Sequence, residues 1–199
     1  MLLLMVKLLV FKVGAFSMDK NVAKISRFIK KYDTQLYGHC VRTALRAKRL
    51  SELLNVDSDL TYQAALIHDL GKIGISKSIF DKPEKLTKND RRAVDLHSFI
   101  GYSMAYNMGV PKNICILILY HHGYNKERFG ECSCIPEDYK LLVDIIRISD
   151  IYDALTSERI YKKSVSHREA INMLLEHSEL DNDLINKFDV LYMMNSKAI

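Results

Sequence analysis

The chain has 199 residues, which fits one compact domain or one domain with a small appendage. Hydrophobic residues make up 48% and charged residues 27%, and this ordinary balance excludes disordered, collagen-like and low-complexity classes. The net charge of +5 favours an anionic partner, but it is too small and scattered to indicate binding of duplex nucleic acid. With 8 glycines and 3 prolines, the chain has too few turn residues for a barrel or sandwich of short strands, and we expect an all-α fold.

The first 18 residues stand out by their apolar composition. They are too few to span a bilayer, which needs about 20 apolar residues, and Lys7 and Lys12 interrupt them. A signal peptide would carry its positive charge before the apolar run and end in a small-residue cleavage site, and this segment does neither. We interpret it as an extension, namely an added helix, a dimerisation element or an upstream start with Met18 as the true first residue. Residues 19–199 are then a single domain.

Helical patterns follow one another along the rest of the chain, without a repeat, a heptad array or a linker. Ser58 or Asp59 is a good N-cap for the second helix, and Gly71 is placed to end it. The pattern T-K-N-D from Thr87 is a capping box, and Pro111 opens a short apolar helix. The sequence thus predicts a polar loop over 123–138 and helices over residues 33–54, 58–69, 87–109, 111–120, 139–157 and, as one or two elements, 166–193.

Four cysteines in a chain of this length do not make a disulfide framework. Only Cys132 and Cys134 lie close together, and no second pair supplies the spacing of a structural zinc site. We therefore expect reduced thiols and a cytoplasmic protein.

Five of the seven histidines lie beside helix ends or on helices with packing faces, and two carboxylates accompany them. Asp150 stands inside the apolar run I-I-R-I-S-D-I-Y-D-A-L, where a carboxylate needs a cation or a hydrogen-bond network. Neutral imidazole and ionised carboxylate are ligands that first-row divalent metals prefer. His167 and His177 stand in polar surroundings and are expected at the surface. The remaining side chains predict a metal site formed by His39, His68, Asp69, His97, His121, His122 and Asp150.

A longer series of short motifs accompanies these side chains. H-D-L-G-K-I-G begins at His68, and His97 is followed one turn later by Gly101. The pair His121-His122 and the run I-S-D-I-Y-D-A-L-T-S from residue 148 complete the series. Over residues 33–165 this order resembles the HD-domain metal-dependent phosphohydrolases, and within them most closely the HD-GYP subgroup of cyclic-di-GMP phosphodiesterases.

The resemblance implies a phosphodiesterase with a binuclear metal centre and a bridging hydroxide. Asp69 and Lys72 are the implied catalytic residues, since Asp69 would bridge both ions and Lys72 would offer a positive charge to a phosphate. Histidine-rich ligation favours iron or manganese, leaves zinc, nickel or cobalt open and disfavours magnesium. The implied ligands are His39, His68, Asp69 and Asp150 for one ion and Asp69, His97, His121 and His122 for the other.

Two departures from the family pattern affect what can be carried over. Gln35 stands where some HD-GYP proteins have a glutamate for a third metal, so we expect two ions. The loop 123–136 lacks the Gly-Tyr-Pro segment that is tied to guanine recognition and instead carries Lys126, Arg128 and Phe129. We therefore expect a nucleotide substrate such as a cyclic dinucleotide, with relaxed base selectivity.

Two other functions remain open at this point. An HD phosphohydrolase that cleaves a phosphomonoester or another nucleotide would use the same metal core, and the altered loop favours it. A non-catalytic signalling or binding domain would keep the fold, but degenerate relatives usually lose ligands and this chain keeps all seven.

Overall fold

The structure, a computed structural model, describes residues 17–80, 87–123, 134–158, 163–177 and 179–196. Every regular element in these ranges is helical, which confirms the predicted all-α fold. None of the helices described is both long and apolar enough to cross a membrane. The elements are α1 (Lys20–Tyr32), α2 (Thr34–Leu53), α3 (Ser58–Ile67), a 3-10 turn (Leu70–Gly74), α4 (Lys77–Phe80), α5 (Lys88–Asp95), α6 (His97–Asn107), α7 (Lys112–Tyr120), α8 (Glu137–Thr156), α9 (His167–Leu175) and α10 (Asn182–Ser196).

Helix α1 was not predicted, although its signals are local. The Asp19 side chain accepts hydrogen bonds from the first backbone N–H groups and so caps the helix. Val22, Ile25 and Ile29 follow at helical spacing, and each is fully buried. They cover one side of α2 and α3, so this helix belongs to the core of the domain.

The observed helix boundaries differ from the predicted ones at the start of α3 and inside the segment 87–109. The cap of α3 is Asp57, whose carboxylate accepts from the Leu60 N–H, and neither Ser58 nor Asp59 takes this role. The helix predicted over 87–109 is broken at Leu96 into α5 and α6. The capping box at Thr87 is confirmed.

Gly71 does not end a helix as predicted, because α3 already stops at Ile67. It lies within the 3-10 turn, where a Cβ atom would stand 1.9 Å from the His97 carbonyl oxygen and 2.5 Å from the Gly101 nitrogen. The absence of a side chain therefore allows the turn to pack directly against the backbone of α6.

The core is formed around α2, which packs against α1, α3 and α8. Helix α7 packs against α3 and α6, and the closing helices α9 and α10 cover α8 and α2. This arrangement brings the middle of α2, the ends of α3 and α7, the start of α6 and the C-terminal half of α8 to one place. Residues 1–16 of the predicted extension 1–18 lie outside the described residues.

Candidate metal centre

The structure brings all seven predicted ligands together. Three of them lie at helix ends, where His68 and His121 follow the last residues of α3 and α7 and His97 is the first residue of α6. His39 and Asp150 instead lie within α2 and α8. Asp69 follows His68 and precedes the 3-10 turn, and His122 directly follows His121. Each of these two pairs of adjacent residues therefore places two side chains in the centre.

The first group of ligands, which we name the His39 cluster, consists of His39, His68 and Asp150. The Nε2 atoms of His39 and His68 lie 3.0 and 3.6 Å from Asp150 Oδ1. Each of these nitrogens is also 3.5 Å from Asp69 Oδ2.

The second group, the His97 cluster, consists of His97, His121 and His122. His97 Nε2 lies 3.2 Å from the Nε2 of His121 and 3.0 Å from that of His122. The same nitrogen is 3.3 Å from Asp69 Oδ1. Asp69 therefore directs one carboxylate oxygen to each cluster, which is the geometry expected of a bridging ligand.

The ring nitrogens of three histidines have defined roles. Nδ1 of His68, His97 and His121 lies 2.5 to 2.7 Å from the backbone carbonyl oxygen of the third residue before it. Because a carbonyl only accepts, Nδ1 must carry the proton, and in the neutral ring Nε2 presents a lone pair. Such Nδ1–H bonds to backbone carbonyls are typical of metal-binding histidines.

These lone pairs test whether a cation fits the site. The Nε2 atoms of His97 and His121, each with its lone pair, lie 3.2 Å apart, and a positive ion between them stabilises this arrangement. His39 Nε2, His68 Nε2 and Asp69 Oδ1 are buried and make no hydrogen bond of acceptable geometry. The donor set of imidazole nitrogens and carboxylate oxygens therefore fits divalent transition metals.

The electrostatics keep the carboxylates ionised. Burial acts to raise the pKa of Asp69, but Lys72 and His68 outweigh it and hold the pKa well below its ordinary value. Burial opposes ionisation of Asp150 as well, and His39 and His68 lower its pKa in the same way. Both side chains are therefore in the form that binds cations.

The histidines of the two clusters differ in their pKa shifts. Burial and the neighbouring imidazoles lower the pKa of His121 well below its ordinary value, and burial lowers that of His122 to about 3. Burial also acts to lower the pKa of His39, but Asp150 and Asp153 raise it above the ordinary value. His121 and His122 are thus neutral, as a metal ligand requires, while His39 lies among carboxylates.

Comparison with known proteins identifies the fold family. The family model of the HD domain matches residues 36–155, a range that contains all seven predicted ligands. The chain belongs to the HD domain family. The resemblance found in the sequence is thereby confirmed.

Two relatives of this HD domain come from Vibrio cholerae. The 3'3'-cGAMP-specific phosphodiesterase 3 is 31% identical over 155 residues, covering 72% of this chain and 32% of the relative. A cyclic di-GMP phosphodiesterase is 30% identical over 184 residues, covering 80% of this chain and 36% of the relative. The chain thus spans about a third of the length of these proteins.

A solved structure has the same fold. The HD domain of the L. monocytogenes phosphodiesterase PgpH, in complex with cyclic-di-AMP, superposes with a TM-score of 0.63 at 16% identity, covering 86% of this chain and 96% of that domain. At this level of identity the similarity establishes the HD-domain fold.

Lys72 lies at the edge of the centre. Its Nζ atom is 2.6 Å from Asp69 Oδ2, and its side chain is 26% exposed. His122 is exposed to a similar extent, whereas His68 and His121 are fully enclosed. The HD-domain centre is therefore open to solvent on the side of Lys72 and His122.

Sequence reasoning missed one buried carboxylate beside the ligands. Asp153 Oδ2 lies 2.8 Å from His39 Nδ1, and the guanidinium groups of Arg42 and Arg46 donate to the same carboxylate. The spacing of Asp150 and Asp153, three residues apart in one helix, places both on one face and was the available signal.

Several other predictions can be compared with the structure. His167 is not a free surface residue, because its ring joins Tyr152 Oη to Asp189 Oδ1 at 2.9 and 2.7 Å. His177 is half-buried as well, so both residues lie at the surface with only part of each exposed. Gln35 is exposed, and the free cysteines are Cys40, Cys115 and Cys134. The predicted features at Cys132, Lys126, Arg128, Phe129 and most of the loop 123–136 lie outside the described residues.

Proposed function

We propose that this HD domain hydrolyses a phosphodiester bond of a cyclic dinucleotide at a centre of two divalent transition-metal ions. The observation that carries the proposal is the division of the Asp69 carboxylate between two clusters of imidazole ligands. The names of the two relatives, both phosphodiesterases of cyclic dinucleotides, support it.

In this proposal the His39 cluster holds one ion, the His97 cluster holds the other, and Asp69 binds both. Iron or manganese is the proposed metal, since imidazole and carboxylate ligands in this proportion suit these ions better than magnesium, which prefers oxygen ligands. Zinc, nickel and cobalt are compatible with the same ligands.

Two bound ions supply a lowered pKa for an attacking water and a clamp for the phosphate. The contribution of the chain is to orient the ligands and to add positive charge. The ammonium group of Lys72, which lies on the open side of the centre beside Asp69, binds a non-bridging phosphate oxygen and stabilises the charge that develops there. The enclosure of His68 and His121 keeps water away from the rear of the centre.

The proposed substrate class is the cyclic dinucleotides with relaxed base selectivity. The relatives are named for 3'3'-cGAMP and cyclic di-GMP, and the solved domain of the same fold is in complex with cyclic-di-AMP. A metal centre that recognises the phosphodiester accommodates all three cyclic dinucleotides, because they differ in their bases but share the phosphodiester bond that is cleaved. A cytoplasmic location, expected from the cysteines, remains part of this proposal.

Metal content and substrate range test the proposal together. Protein purified after growth with iron and manganese is analysed for metals and assayed on cyclic-di-GMP, 3'3'-cGAMP, cyclic-di-AMP, a generic phosphodiester and a phosphomonoester. We expect about two ions per chain and cleavage of cyclic dinucleotides together with detectable cleavage of the generic diester. Cleavage of the monoester alone would favour the nucleotide phosphohydrolase function, and metal binding without any cleavage would favour a binding domain.

A further inference from the structure

The histidines of the centre differ in what holds their second nitrogen. His68, His97 and His121 stand at helix ends, where the last carbonyls lack the regular partner four residues on, and in each case Nδ1 donates to a carbonyl of the preceding turn. His39 lies inside α2, where the carbonyls of the preceding turn already accept from the helix backbone. Its Nδ1 therefore needs a partner from another element.

Asp153 provides this partner from α8. Its Oδ2 lies 2.8 Å from His39 Nδ1, while Asp150 Oδ1 lies 3.0 Å from Nε2 of the same ring. One face of α8 thus contacts both nitrogens of the imidazole. The contact to Nδ1 fixes the tautomer and the rotation of the ring, so that the Nε2 lone pair points into the His39 cluster.

The Asp153 carboxylate is itself held in place. It is fully buried, and Arg42 donates to it from Nε and Nη2 at 2.8 and 2.9 Å. Arg46 donates from Nη1 at 2.6 Å. His39, Arg42 and Arg46 follow at helical spacing along one face of α2, so this helix supplies the ligand and both cations that compensate the buried charge.

We propose that Asp153 is the positioning residue of the His39 cluster, and that Arg42 and Arg46 hold its carboxylate against His39. The inference rests on the proposed function, since it names the residue on which metal affinity at one of the two sites depends. Loss of such a partner lowers metal affinity by about 10- to 100-fold. The His97 cluster, in which backbone carbonyls hold His97 and His121, keeps its affinity.

The test measures Mn²⁺ binding to the full chain by equilibrium dialysis for the wild type, Asp153→Ala and Asp153→Asn. We expect two Mn²⁺ per wild-type chain, and in Asp153→Ala a loss of about 10- to 100-fold in affinity at one site only. Asp153→Asn, which can still accept from Nδ1, should retain more affinity than the alanine variant. Ser149→Ala is the matched control, because Ser149 is equally buried on α8 but bonds only to the Ile145 carbonyl.

A double-mutant cycle separates positioning from a general structural role. Asp153→Ala should cause no further loss of Mn²⁺ affinity in a His39→Ala background, because the ring that it orients is already absent. Equal and additive losses at both sites would show that Asp153 only stabilises the fold and would overturn the inference. Circular dichroism checks folding, and if Asp153→Ala does not fold, the same cycle is run with Asp153→Asn.

The two proposals fail in different ways. A wild-type chain that binds no Mn²⁺ or other transition metal refutes the proposed function. A wild-type chain that binds two ions, together with an Asp153→Ala variant of unchanged affinity at both sites, refutes the positioning role alone.

Discussion

The two clusters of the HD-domain centre use the same ligand chemistry but are assembled differently. Histidines of the His97 cluster stand at helix ends, where His97 and His121 donate to nearby backbone carbonyls. In the His39 cluster only His68 stands at a helix end, whereas His39 and Asp150 lie inside α2 and α8, and His39 depends on a buried carboxylate with two arginines. A ligand at a helix end is thus oriented by its own segment, whereas a ligand within a helix needs partners that only the tertiary structure supplies.

Replacing Asp69 should have the largest effect, because its two carboxylate oxygens connect the His39 cluster with the His97 cluster. Asp69→Ala should reduce the content of both ions and lower kcat by about 10³-fold or more, beyond the ~10²–10³ of a single positioned group. Elemental analysis and steady-state kinetics measure the two effects. Loss of only one ion would show that Asp69 does not bridge.

A matched pair of variants tests whether the clusters act separately. His97→Ala should deplete mainly the ion of its own cluster, and His39→Ala mainly the other, leaving about one ion per chain in each case. A metal titration monitored by calorimetry distinguishes the two sites by their binding enthalpies. If either variant loses both ions together, the clusters form one cooperative site and the comparison between them does not hold.

Lys72 contacts Asp69 without belonging to either cluster. Lys72→Ala should lower turnover by about 10²–10³ by analogy with the loss of one preorganised donor, while the metal content stays at the wild-type level. Lys72→Arg is the control, since it keeps the charge in a different shape. An unchanged turnover in Lys72→Ala would contradict the assigned role even if both ions are bound.

Gly71 lets the 3-10 turn that follows Asp69 pack directly on the backbone of His97 and Gly101. Gly71→Ala should destabilise the protein by about 1–3 kcal/mol, as expected for overpacking, and should weaken binding at the His97 cluster. Gly74→Ala in the same turn is the control, since its Cβ would meet only the side-chain Cγ2 of Ile100, at 2.9 Å, and no backbone atom. Urea unfolding measures the stability of both variants, and equal stability would contradict the close approach of the 3-10 turn to the backbone of α6.

The smallest effect concerns Asp144, a carboxylate of α8 outside both clusters. Burial and Asp181 raise its pKa, although Arg147 acts to lower it. Ionising Asp144 therefore costs the folded state free energy relative to the unfolded state. This cost is absent below the pKa of an unfolded aspartate, about 3.9, and grows as the pH rises through the pKa of the folded state. Asp144→Asn should therefore stabilise the protein by a few tenths of a kcal/mol at pH 7 but not near pH 4. Urea unfolding at both pH values checks this, and a stabilisation independent of pH would exclude the carboxylate charge as its cause.

The sequence predicted those features that depend on short segments. Caps and apolar spacing predict α2, α3, the segment that holds α5 and α6, and α7 to α10, but not α4, and the candidate ligands are predicted by their chemistry in apolar surroundings. The break at Leu96 and the role of Gly71 were not predictable in this way. Both depend on the contact between the 3-10 turn and α6, which involves residues distant in sequence.

The role of Asp153 shows the same limit at the site. Its spacing from Asp150 places it on the same face of α8, but its own segment does not show what it contacts, because its partners His39, Arg42 and Arg46 lie more than 100 residues earlier in the chain. Pairing of α2 with α8 creates the contact. A histidine predicted at a helix interior is a signal that could have prompted a search for such a partner.

The placement of His39 and Asp150 in one cluster has a consequence for folding. The two residues are separated by more than half of the chain, so an ion bound by both would act as a cross-link between its distant parts. Because the ligands come together only in the folded chain, unfolding would release the ion, and the ion would stabilise the folded state by mass action, by about 2.7 kcal/mol at a free concentration of 100 times its Kd. Metal supply would then set the stability of the folded chain as well as its activity, as a reversible counterpart of a covalent bridge in a protein whose described cysteines are unpaired.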